Sequence, residues 1–141
     1  MRAPSGGVED FVFFIDRSLG KHEVPAALRA ASARVEIHDQ HFAINARDEE
    51  WILEVGQRRW VILTKDDNIR RRPLERRAVQ SARVSLFALA GGNIRGPDMG
   101  TAFALALPRM VALLRKTEPP LIARVTKTGG VSILDDFADA S

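Results

Sequence analysis

The chain has no cysteine. Disulfide staples and thiolate-held zinc are therefore excluded, and the protein is expected in a reducing cytoplasm. No apolar run approaches the roughly 20 residues a membrane-spanning helix needs, so no membrane association is expected. The opening residues MRAPSGG carry one basic residue and run into Glu9 and Asp10, unlike the basic-then-apolar order of a secretory leader. Internal repeats and low-complexity segments are missing too. Charge of one sign is in small excess: the formal net charge is +3, and most of the positive surplus lies between Arg58 and Arg83. A local basic field suits a polyanion such as nucleic acid, although basic faces often do no more than hold solvent.

What remains is an ordinary globular chain. Its 141 residues, 45% hydrophobic and 28% charged, support one domain with a sizeable core. Short apolar runs alternate with helical patterns. Phe11–Ile15, Arg34–Ile37, Trp60–Leu63, Val84–Leu89 and Leu121–Val125 read as strands, with a last short strand at Val131–Leu134. Helices are expected from Val24, over Asp48–Arg59, over Ile69–Ala82 with an interruption near Pro73, and over Asp98–Lys116 with a kink or break at Pro108. This alternation implies an α/β fold: a mainly parallel sheet covered on both faces. Residues 1–10 are expected to form a flexible arm and 135–141 a flexible tail, leaving 11–134 as the domain.

Three strands end at aspartates: Asp16 after the first, Asp39 after the second, Asp66 and Asp67 after the third. Each alone is explained by turn or capping chemistry. Together on one edge of a parallel sheet they repel one another unless a cation offsets them. Asp48 joins them, because on a helix it shares the face of Trp51, Ile52 and Val55, which must pack on the sheet. Hard carboxylate oxygens without thiolate select magnesium or manganese, which serve phosphate chemistry. Asp16, Asp48 and Asp66 are therefore expected to converge on a shared cation.

The run FFIDRSLG, followed by ARDEEWILEVGQRRWVILTKDD, resembles the PIN-like domain superfamily, and within it the VapC-type toxins of toxin–antitoxin pairs. The resemblance spans roughly residues 11–115, and its most specific part is the D-x-x-W helix leading into an apolar strand and T-x-D. It implies a metal-dependent ribonuclease on a single-domain, parallel-sheet α/β/α sandwich. It implies RNA as substrate and a small, DNA-binding cognate antitoxin as partner, and it leaves a homodimer open. Carried over, Asp16, Asp48 and Asp66 match the catalytic, metal-holding acids, with Thr64 beside the third. Glu49 is a rival for the place of Asp48. Asp67 is a further candidate ligand, and Asn93 or Asp98 stands where a fourth polar ligand belongs.

Lys65, Arg70, Arg71, Arg72, Arg76 and Arg77 follow the third strand and are expected to bind RNA phosphates. Trp51 and Trp60 read as core. His38 and His41 flank Asp39 but lack a third soft ligand and read as loop residues, and only its place near Asp16 suggests His22 as a general base. Two other classes compete. One is a PIN-like fold that binds without cutting. The other is a phospho-acceptor signalling domain, which requires an acid pair ending strand one and a lysine ending strand five; here Arg17 follows Asp16 and Lys127 is loosely placed.

Overall fold

The computed structural model describes residues 7–66, 68–91 and 93–138. Its sheet is built from β1 (Val12–Ile15), β2 (Arg34–Ile37), β3 (Val61–Thr64), β4 (Ser85–Leu89), β5 (Leu121–Val125) and β6 (Val131–Asp135). The helices are α1 (Glu23–Ala30), α2 (Asp48–Gln57), α3 (Pro73–Ala82) and α4 (Gly96–Lys116). The spatial order is β2-β1-β3-β4-β5-β6, and β1 to β5 are parallel.

Two apolar layers flank the sheet, because β1 is apolar throughout, β3 is apolar up to Thr64 and β4 is apolar after Ser85, so that they feed both faces. Phe13, Ile15, Leu63 and Phe87 pack under α1 and α4, against Val24, Leu28, Phe103 and Met110. Phe14, Ile62 and Leu86 pack under α2 and α3, against Trp51, Ile52, Val55 and Val79. The α/β/α sandwich expected from the alternation is thus formed. The chain leaves β1 for β2 on one side and returns to β3 on the other, so β1 and β3 are adjacent at the reversal point. Crevices at such points, beyond the carboxyl ends of the strands, are where sheets of this kind bind ligands.

The sheet is mainly parallel, as expected, and its last strand, β6, runs antiparallel to β5. The link between them is a tight turn closed by Thr126 N–H on Gly130 O at 2.9 Å and Gly129 N–H on Thr126 O at 2.9 Å. A parallel return would need a dozen or more residues. Pro108 does not split its helix, which runs unbroken through it. Buried Ala106, Leu107, Met110 and Val111 anchor α4 on both sides of the proline, which offsets the backbone hydrogen bond the ring removes. The basic segment does divide at Pro73, into a 3-10 turn (Ile69–Arg71) and α3.

The chain ends are more engaged than their composition suggests. Val8–Asp10 forms a 3-10 turn whose Val8 packs on the core; residues 1–6 lie outside the described residues. At the other end, Asp135 closes β6 and accepts a forked pair from Arg76, Nε at 2.6 Å and Nη2 at 3.1 Å. Those hydrogen bonds hold the Asp135 carboxyl below its ordinary range. Phe137 is 5% exposed and lies 4.4 Å beneath the Arg76 guanidinium. The expected tail at 135–141 is therefore packed at least to Phe137; residues 139–141 lie outside the described residues. A chain ended after Leu134 should lose roughly 3 kcal/mol or more, the usual loss on emptying a buried phenylalanine site. Denaturant unfolding measures this, and an unchanged midpoint would mean that the segment contributes nothing.

Candidate active site

The site is built on the adjacency of β1 and β3. Their register pairs Ile15 with Leu63, and Asp16 N–H extends the ladder to Leu63 O at 3.0 Å. Asp16 and Thr64 therefore leave the sheet side by side. Thr64, 1% exposed, donates its hydroxyl to Asp16 Oδ2 at 2.7 Å. Ser18 donates to the same oxygen at 2.8 Å. Ser18 Oγ also lies 3.2 Å from Thr64 Oγ1 and accepts Lys65 N–H at 3.0 Å. Thr64 Oγ1 accepts Asp66 N–H at 3.1 Å. Two hydroxyls thus fix one oxygen of Asp16, and no described residue donates to Oδ1.

Asp48 enters from the first turn of α2. Its Oδ1 accepts the Trp51 indole N–H at 3.0 Å. Burial raises its carboxyl above the ordinary range; the indole hydrogen bond opposes this, and the negative charges of Asp16 and Asp66 add to it. The three carboxylates therefore act on one another, as their placement on one edge implies. Asp66 is held differently: Oδ2 pairs with Arg72 Nη1, and Oδ1 accepts Asn68 N–H at 3.1 Å. The donor set is hard oxygen throughout, with no thiolate in the chain, and its chemistry suits magnesium or manganese. The expected convergence is incomplete, however. Among the described residues no three acids or histidines come close enough together to hold an ion, and a guanidinium occupies Asp66.

The lesser candidates fall elsewhere. Glu49 lies 3.7 Å from Arg47 Nε, alongside the Arg47–Glu50 pair. Asp98 and Asn93 line a groove with Lys127 and Thr128 of the β5–β6 turn. Asp67 lies outside the described residues. Asp39 sits 3.9 Å from both Arg17 and Lys21. His22 is exposed at the start of α1. His38 is buried against Phe14, Phe42 and Trp51, and His41 bonds Glu36 at 2.6 Å. Trp51 is buried, as expected of core, but its N–H serves the site.

The basic stretch is not one surface. Arg72 is paired with Asp66 and Arg76 with Asp135. Arg70 buries its Nε, while Arg71 and Arg77 are exposed and Lys65 is half-buried.

The profile of the family described as "PIN like domain" matches residues 11–91, more than half of the chain. The chain belongs to the PIN-like domain family. A Mycobacterium tuberculosis protein named "Putative ribonuclease VapC45" is 31% identical over 110 residues, covering 75% of this chain and 80% of that protein. No solved structure matched.

Within this PIN-like domain, β1, α2 and β3, the elements that carry Asp16, Asp48 and Asp66, all lie inside the matched segment. Sequence reasoning missed Ser18 and the roles of Trp51 and Arg72. Asp-x-Ser is a turn signal that could have marked Ser18, and the i,i+3 spacing of Asp48 and Trp51 permits their bond. Nothing local marks Arg72 as the partner of Asp66. One consequence concerns pH. The folded Asp48 carboxyl titrates above its unfolded value near 3.8. Its ionised form therefore costs stability above the folded pKa, and the cost vanishes below the unfolded one. Asp48→Asn should raise the thermal midpoint at pH 7, with the gain shrinking as pH falls toward 4. A gain that is absent at pH 7, or independent of pH, would contradict this assignment.

Proposed function

We propose that the protein is a divalent-metal-dependent endoribonuclease, the toxin of a VapBC-type toxin–antitoxin pair. The observation that carries this reading is the Asp16 carboxylate, fixed by Ser18 and Thr64 at the reversal point of the sheet with Asp48 and Asp66 acting on the same edge. Family membership and the ribonuclease name of the mycobacterial relative support it. Asp16, Asp48 and Asp66 would hold magnesium or manganese. Such a metal would supply an activated water and positive charge for the phosphoryl oxygens. Thr64 and Ser18 orient Asp16, leaving Oδ1 as its outward donor. Trp51 orients Asp48. Arg72 balances Asp66 and, once released from it, becomes a phosphate ligand. Lys65, Arg70, Arg71 and Arg77 form the basic approach for the RNA backbone. The partner in this reading is a small DNA-binding antitoxin, and the setting is the cytoplasm. Among the described residues no helix is long and apolar enough to cross a membrane.

The Arg72–Asp66 pair favours one rival, a PIN-like module that binds RNA without cutting it. Incubating purified protein with single-stranded RNA separates the two. Cleavage should require magnesium or manganese, stop with chelator, and fall roughly a hundredfold or more in Asp16→Asn and Asp66→Asn. Asparagine at 16 can still accept the Thr64 and Ser18 hydroxyls, so the fold should persist. RNA that is bound but never cut, at saturating magnesium and manganese, supports the binding module. Cutting that survives both chelator and substitution rejects the proposed site.

The exposed arginines predict a separate, electrostatic effect. Arg71→Gln and Arg77→Gln should each weaken binding to unrelated single strands and reduce the salt slope by roughly 0.7 log units per lost phosphate contact. An unchanged slope in the double variant would remove these two from the RNA path.

A further inference from the structure

A pocket of about 230 Å³ begins at Arg17, the chain neighbour of Asp16, and is lined by Arg17, Gly20, Lys21, Ile37, His38, Asp39 and Ile44. It is smaller than the roughly 300–1,000 Å³ of drug-sized sites, and suits a single flat ring system. One wall is Ile44, which is 69% exposed, an apolar side chain with no packing role of its own. Arg17 Nη1 holds that residue in place by donating to Ile44 O at 2.8 Å. The floor is His38, packed against three aromatic rings. Its buried Nδ1 lies 3.6 Å from Asp39 Oδ1, too long for a full hydrogen bond. The rim carries two cations on one acid: Arg17 and Lys21 each stand 3.9 Å from Asp39, with side chains 45% and 59% exposed. Neither pair is tight, so both cations remain available to an incoming anion.

These parts answer the chemistry of one nucleotide. Apolar walls and a ring-packed floor accept a base face. Asp39 accepts amino or imino hydrogens from a base edge, as carboxylates do from cytosine N4. Arg17 and Lys21 meet the phosphate that joins this nucleotide to the next, which lies toward Asp16, the immediate chain neighbour of Arg17. Resting on the ribonuclease reading above, we propose that this pocket takes one unstacked nucleobase of the RNA, next to the bond that is cut, and so sets where the strand is cleaved. Single-stranded RNA offers such bases, which proteins commonly splay out and hold individually.

The test is a cycle in which base and wall are removed separately and together. Wild type and Ile44→Ala are each given a short single-stranded RNA of known cleavage position. Each also receives the same RNA with an abasic nucleotide placed in turn on either side of the cleaved bond. Ile44 is exposed, so its loss leaves the core intact. In wild type, removing the base on one side should lower kcat/KM roughly tenfold, the scale of one base contact, and removal on the other side should do much less. Ile44→Ala should lower cleavage of the intact RNA roughly three- to tenfold. On the sensitive abasic RNA it should have little further effect, because base and wall act through one contact. If the two losses simply multiply, or if neither abasic position matters, the pocket does not hold a base and the proposal is wrong while the ribonuclease reading stands. If no RNA is cut under any metal condition, the ribonuclease reading and the pocket fail together.

Discussion

The hydrogen bond from Thr64 to Asp16 is the contact on which the rest of the site depends. It exists because β1 and β3 are neighbours, and they are neighbours because the chain reverses direction between them. Thr64 is a buried polar group, and such a group must be satisfied. It donates to a carboxylate from one strand end and accepts the backbone N–H of Asp66 from its own. One hydroxyl thus fixes both the first acid and the main chain that presents the third. Ser18 doubles the restraint on the same oxygen from beside Thr64 and accepts the Lys65 amide N–H. Two loops that are separate in sequence become one rigid corner, and the pocket lined by Arg17 and Ile44 begins at the residue that follows Asp16.

That corner gathers negative charge, and the structure meets the cost in three ways. Asp16 is given two neutral hydroxyl donors. Asp48 is given an indole N–H. Asp66 is given a cation, Arg72. Only the last supplies opposite charge, and it serves one acid of the three. Asp48, partly buried and repelled by its two neighbours, stays in an unfavourable state. A fold under selection for stability alone would replace it, so a costly acid in a crevice points to use.

Much of this was legible in the sequence, and for identifiable reasons. Phe11–Ile15 and Trp60–Leu63 are apolar without a break and stop abruptly at polar residues, so the ends of β1 and β3, with Asp16 and Asp66 beyond them, could be placed from composition. The i, i+3, i+4 pattern of Asp48, Trp51 and Ile52 assigned Asp48 to the buried side of α2, where its bond to Trp51 is found. What could not be read were contacts between distant residues and contacts that depend on side-chain reach. Arg76 meets Asp135 across 59 positions, so residues resembling a frayed tail are held in place. Pro108 looked like a helix break because local propensity says so. It is not one, because apolar neighbours on either side tie α4 to the core.

The basic stretch after β3 shows most clearly why composition and function part company. Six cations from Lys65 to Arg77 read alike as a string. Arg72, which stands just before α3, and Arg76 within it each reach an acid: Asp66 at the site, Asp135 at the end of the sheet. Arg71 and Arg77 are exposed. The same residue type thus performs two tasks within one short stretch of chain. The paired arginines tie the C-terminal segment and the third acid to the body of the fold; Arg71 and Arg77 leave positive charge in solvent. Because Arg72 also sets where Asp66 stands, any anion drawn along Arg71 and Arg77 arrives at an acid already matched to a guanidinium. Asp16 Oδ1 and Asp48 Oδ2 are then the carboxylate oxygens of the corner to which no described residue is seen to donate.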